Sequence, residues 1–181
     1  MTNYRRLRIK GGTYFFTVDL ADRRSRALVD QIDHLRAACR EILSAHPVSI
    51  DAMVILPDHL HAVWTLPDGD HDYSTRWKKI KTRFTKLVLA EDPTLIRRPS
   101  KSKIIKGEKG LWQRRFWEHA IRDERDYIAH VEYCWLNPVK HRLVDRVQDW
   151  PYSSFHRDVQ LGRVPIGWTS DLVDGDFGEA A

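Results

Sequence analysis

Apolar and polar positions along the chain repeat with two different periods, and each change of period marks the edge of an element. Residues 13–19, Thr-Tyr-Phe-Phe-Thr-Val-Asp after Gly11-Gly12, are β-branched and aromatic, which predicts a first strand. Over residues 24–45 the apolar positions Leu28, Ile32, Leu35, Ala38, Cys39, Ile42 and Leu43 recur every three or four residues, giving one amphipathic helix with Pro47 just beyond its end. Residues 48–56 and 59–66 read as two strands joined at Pro57-Asp58, a β-hairpin. A helix over residues 74–89 gathers Trp77, Ile80, Phe84, Leu87 and Val88 on one side, with Arg76, Lys78, Lys79, Lys81, Arg83 and Lys86 around the rest. Residues 97–110 lack periodicity and read as a loop. The aromatic and basic stretch 111–117 follows, then a helix over 123–137 ended by Pro138. From Asp149 onward the pattern predicts irregular structure packed by aromatics.

Three strands interleaved with long helices predict an α+β sandwich with a mainly antiparallel sheet; a fourth strand is expected but has no clear position. The length of 181 residues suits one core. Residues 1–174 are accordingly expected to form a single catalytic domain, and 175–181 a disordered tail. No apolar run approaches the roughly 20 residues that span a bilayer. The first ten residues carry Arg5, Arg6, Arg8 and Lys10 without the apolar core of an export signal, so a cytoplasmic protein is expected, with no membrane partner. Cys39 and Cys134 are far apart and outside any paired motif, which argues for reduced thiols and against a thiolate zinc site. A net charge of +5 suggests a polyanionic partner.

Chemistry enters at two places. His59 and His61 are separated by one residue in a strand, so both imidazoles leave the same face while Leu60, Ala62 and Trp64 point to the other. Such a pair suits a divalent ion with open positions for substrate oxygen and water, although a bare His-x-His is often only two polar residues on a wet sheet. On the late helix, His130, Tyr133 and Asn137 fall at i, i+3 and i+7 and share one face, with Ile128, Val131 and Trp135 nearly opposite. Together the pieces make a complete set: metal ligands at His59, His61 and Asn137, and Tyr133 as the catalytic nucleophile one turn from Asn137. His130 lies on the correct face for proton transfer or phosphate contact.

The chain resembles the REP-associated tyrosine transposases, relatives of the single-tyrosine insertion-sequence transposases in the HUH nuclease superfamily. The resemblance rests on Lys10-Gly11-Gly12-Thr13-Tyr14-Phe15-Phe16-Thr17-Val18, Leu56-Pro57-Asp58-His59-Leu60-His61, Trp112-Gln113-Arg114-Arg115-Phe116-Trp117-Glu118-His119, Asn137-Pro138-Val139-Lys140-His141 and Asp149-Trp150-Pro151, in matching order. It implies a ferredoxin-like sheet with the two-histidine strand central and the tyrosine helix beside it. It also implies a metal-dependent endonuclease and strand transferase that cleaves and rejoins single-stranded DNA at or near hairpin, REP-type palindromes through a 5′-phosphotyrosine. The ion is expected to be Mg or Mn. Many insertion-sequence relatives carry glutamine where this chain has Asn137.

The partner expected from this resemblance is single-stranded or hairpin DNA, bound by a monomer or a homodimer. Arg5, Arg6, Arg8, Lys10, Arg114, Arg115, Lys140, His141, His156 and Arg157 are the candidate DNA contacts, since guanidinium and ammonium groups pair with phosphates and neighbouring aromatic rings stack on unpaired bases. Two other readings compete. One is a hairpin-binding module without cleavage. The other is a zinc hydrolase that adds Asp58 or His119 to the two histidines.

Overall fold

The computed structural model describes residues 6–95, with no account of the Leu95 side chain, and residues 110–170. Arg5, most of the loop expected over 97–110 and the tail expected over 175–181 lie outside the described residues. Four strands are present: β1 (Thr13–Asp19), β2 (Ser49–Ile55), β3 (His59–Thr65) and β4 (Trp117–Ala120). They form one sheet in the order β2-β3-β1-β4, every neighbouring pair antiparallel. The two-histidine strand β3 is therefore internal, and the α+β ferredoxin-like order expected for the chain is what the structure has.

The first helical region departs from its expectation. Instead of one helix over residues 24–45 there is a single turn, α1 (Ala27–Asp30), followed by α2 (Ile32–Ala45), with the break at Gln31 (φ −113°, ψ 34°). Two hydrogen-bonded contacts, one to a distant segment and one local, go with the break. Leu28 N–H donates to Pro57 O at the hairpin turn, and Gln31 Oε1 lies 2.8 Å from His34 Nδ1, so the glutamine side chain serves the first turn of α2. α3 (Tyr73–Glu91) starts at Asp72, whose carboxylate accepts from Thr75 N–H as an N-cap. α4 (Glu124–Lys140) is capped the same way by Asp123 and runs through Pro138 rather than stopping there. Pro138 has no N–H to give Cys134 O, yet the last turn still closes, with His141 N–H bonded to Asn137 O. A short α5 (Phe155–Gln160) lies in the region expected to be irregular.

The fourth strand is β4, four residues long, paired to β1 from Tyr14↔Ala120 to Thr17↔Trp117. At the other edge, Ile55 N–H bonds Tyr152 O and Ser154 N–H bonds Met53 O, so residues 152–154 cover the outer side of β2. A register shift between Ile50 and Ala52 marks a bulge in β2.

Alternation along β1 separates the two faces of the sheet. Phe16 meets Trp64, Tyr73, Trp77 and Phe116, and Trp64 stacks on Trp77 with centroids 4.0 Å apart and planes 10° from parallel; this is the α2/α3 side. Phe15 meets His61, His130 and Tyr133 on the α4 side. Arg76, which the periodicity places among the surface cations of α3, is instead buried. Its guanidinium donates to the carbonyls of His46, Pro47 and Asp72 and to the Asp70 carboxylate.

Candidate active site

Of the four residues expected to carry chemistry, His59, His61 and Tyr133 come together on the α4 side of the sheet, and Asn137 is buried one turn further along α4. His59, His61, Tyr133 and Asn137 are 2%, 0%, 4% and 1% exposed, so the polar stripe of α4 is packed against β3 rather than left in water. The ring centroids of His59 and His61 are 5.0 Å apart, and that of Tyr133 is 5.3 Å from His61. The opposite stripe is not uniformly apolar packing: Ile128 is exposed, whereas Trp135 packs on Phe155 and Trp168. α4 is thus packed on two sides, by polar residues against the sheet and by Trp135 against the C-terminal segment.

Each histidine is held by its Nδ1. His59 Nδ1 is 2.9 Å from Asp58 Oδ1, and His61 Nδ1 is 3.0 Å from Thr17 Oγ1 on β1. A carboxylate beside Nδ1 accepts its proton, which leaves the lone pair on Nε2, the usual arrangement behind a metal-binding imidazole. His59 Nε2 is buried and makes no hydrogen bond among the described residues. A buried imidazole nitrogen with its lone pair exposed to no donor fits a divalent ion, and the donor set of two imidazoles and an amide oxygen leaves positions open for oxygen ligands. Burial opposes charge on Asp58, but the hydrogen bond from His59, with Arg23 nearby, outweighs it and holds the carboxyl below its usual range. Asp19, opposite His59 in the β1/β3 register, is pushed up by burial against the pull of Arg23.

Thr17, Asp19 and Arg23 have no signal in the sequence, because only the register of β1 on β3 brings them to the histidines. Lys140 is better placed than a general phosphate contact. Its Nζ donates to the Tyr133 hydroxyl at 3.3 Å and lies 4.9 Å from the phenol centroid, a position that exists because α4 continues past Pro138. His141, which caps α4, is exposed with its ring 5.0 Å from His59. His130 stands apart from the phenol, across Phe15: its Nδ1 donates to Asp126 O at 2.8 Å and its ring stacks on His119. The zinc-hydrolase arrangement is not formed, since Asp58 supports His59 from behind and His119 bonds Asp126, 2.8 Å away.

The remaining candidate DNA contacts scatter. Arg8, Lys10, Arg114 and Arg115 are exposed. Arg6 pairs with Glu118 and lies over the Phe116 ring. His156 and Arg157 point inward: His156 Nε2 meets Trp150 O at 2.8 Å, and the Arg157 guanidinium donates to Ile50 O and Asp51 O at the β2 bulge. Sequence reading missed a groove of about 660 Å³ between α3 and residues 110–116, on the sheet side away from the histidines, lined by Lys78, Lys81, Lys86, Arg114, Trp112 and Phe116 among others.

A curated protein of Escherichia coli K12, the REP-associated tyrosine transposase, is 48% identical over 179 residues, 99% of this chain and 98% of the relative. The chain belongs to that family. It is accordingly an enzyme of the transposase type. A Haemophilus influenzae protein named for the same transposases is 45% identical over 180 residues, 98% of the chain and all of the relative. A solved structure of a REP-associated tyrosine transposase bound to a REP hairpin superposes with a TM-score of 0.84 at 46% identity, covering all of this chain and 99% of that one. No protein-family model matches the chain. No helix among the described residues is long and apolar enough to cross a membrane.

Proposed function

We propose that this transposase cleaves and rejoins single-stranded DNA at or near REP-type hairpins, with Tyr133 as nucleophile and a divalent ion, Mg or Mn, held by His59, His61 and Asn137. The observation that carries the reading is the packing of the two imidazoles of β3 against the phenol of α4. The Tyr133 oxygen attacks the scissile phosphorus and loses its proton; the bond to the 3′ oxygen breaks, and that oxygen leaves as a hydroxyl. The 5′-phosphotyrosine ester conserves the energy of the broken diester, so a 3′-hydroxyl attacking it later reseals the strand and returns the phenol. The bound ion supplies polarisation of the phosphate and compensates charge developing on its oxygens. Lys140 holds the phenol oxygen and offers positive charge where phenolate character develops. Thr17 and Asp58 keep the imidazoles aimed.

Of the DNA contacts, Arg8, Lys10, Arg114, Arg115, Lys140 and His141 are exposed and suit phosphates, with the α3 groove as a further basic and aromatic surface. The test is incubation of labelled hairpin DNA with the protein and Mn or Mg. A covalent adduct is expected that Tyr133→Phe abolishes and that His59→Ala with His61→Ala reduces to background. Hairpin binding with no adduct across both ions and several flanking sequences would sink the cleavage reading in favour of a binding module.

A further inference from the structure

A second cluster of ligand-type side chains lies on the same sheet face as the catalytic histidines, nearer the β4 edge, and the proposed reaction does not use it. His119 comes from β4, while Asp126 and His130 come from successive turns of α4. One ligand atom of each lies within 4.8 Å of the others. The contacts at the centre are His119 Nε2 to Asp126 Oδ2 at 2.8 Å and His130 Nδ1 to Asp126 Oδ1 at 3.1 Å. We propose that His119, Asp126 and His130 form a second divalent transition-metal site, of the kind that takes Zn²⁺, separate from the His59–His61 pair and clamping β4 to α4.

Two features favour an ion over a purely hydrogen-bonded cluster. Two imidazole nitrogens already converge on one carboxylate, and two imidazoles with one carboxylate leave a fourth tetrahedral position for water; the rings stack at 4.7 Å and 15°, so ligation requires them to tilt until both in-plane lone pairs meet the ion. The ion also has an entry path, since the His119 side chain is 26% exposed at the edge strand. Phe15 separates this cluster from the first, with its ring 4.8 Å from His130 and 5.3 Å from His61.

On binding, the ion takes His119 Nε2 and His130 Nδ1, each ring carries its proton on the other nitrogen, and the Asp126 backbone carbonyl gives up its 2.8 Å bond from His130 Nδ1. The ion also displaces Arg122, whose Nε pairs with Asp126 at 3.2 Å from a side chain 75% exposed. The arginine is thus a built-in competitor. Its removal should tighten the site by up to about fivefold, the upper range for an exposed ion pair.

The test is titration of chelator-stripped full-length protein with Zn²⁺ by calorimetry and with Co²⁺ by visible absorption. Wild type is expected to take two ions, His119→Ala one, and the His59→Ala/His61→Ala double variant one, with Arg122→Ala binding the second ion more tightly. A single ion in wild type that His119→Ala abolishes and the double variant retains also supports the cluster, and counts instead against an ion at His59 and His61. Unchanged stoichiometry in His119→Ala and in His119→Gln, each shown to be folded by circular dichroism, would leave the cluster a hydrogen-bonded network and overturn the proposal.

Discussion

The two faces of the sheet are made from the same strands yet do opposite work. On the α2/α3 side, Tyr14, Phe16, Trp64, Tyr73, Trp77 and Phe84 are fully buried and make mostly ring-to-ring contacts, with Arg76 as a satisfied exception at the margin. On the α4 side Phe15 and Val63 share the interior with buried polar groups, His59, His61, His130, Tyr133 and Asn137, each needing a polar partner. A side chain that is dry and apolar gains from burial outright, whereas a buried imidazole or amide costs free energy until it is paired. One face therefore supplies the stability that lets the other hold groups which a protein built for stability alone would exclude.

That contrast can be broken most severely at Trp77, where Trp77→Ala removes the ring stacked on Trp64. A loss of about 3–5 kcal/mol is expected, read as a lowered urea midpoint with the histidines untouched. Thr17→Val should do the reverse. It withdraws the partner of His61 Nδ1 while keeping the shape of the side chain, so metal affinity or adduct formation should drop by about 10- to 100-fold, with a much smaller change in the unfolding midpoint.

Acid separates the faces more gently. The Arg76 hydrogen bond, followed by the Asp72 N–H, holds the Asp70 carboxyl below the ordinary carboxylate range. A folded-state pKa below the unfolded one means stability that is complete above the unfolded pKa and lost as pH falls toward the folded one. Asp70→Asn should flatten the part of that loss beginning near pH 4, seen as a smaller wild-type-minus-variant difference in Tm at pH 3 than at pH 7. The smallest effect is expected at the groove: Lys86→Ala should weaken hairpin binding slightly and reduce the slope of log affinity against log salt by about one, leaving the unfolding midpoint in place.

Much of this was legible in the sequence, for physical reasons that differ by element. The hairpin and its His-x-His strand follow from a two-residue period around Pro57-Asp58, and the shared helix face of His130, Tyr133 and Asn137 follows from the pitch of a helix. What escaped depends on contacts between distant segments. β4 is four residues long, too short to show a period, and is defined by its pairing with β1. The break at Gln31 reflects the bond from Leu28 to Pro57, and the burial of Arg76 reflects the carbonyls of His46 and Pro47, neither of which local periodicity registers. Pro138 reads as a stop because a proline inside a helix is costly, but the penalty is small in a final turn, and the two residues that follow carry an ammonium to the phenol.

The cover that residues 152–154 place on β2 bears on how copies of this chain can meet. An open strand edge is a template onto which another molecule can add its own strand. Here the backbone groups at Met53 and Ile55 are already taken, and Arg157 plugs the bulge behind them. A two-fold assembly built by running the sheet through this margin would first have to peel away Tyr152 and Ser154. A dimer that leaves the fold intact is therefore not built through a continuous intermolecular ladder at β2.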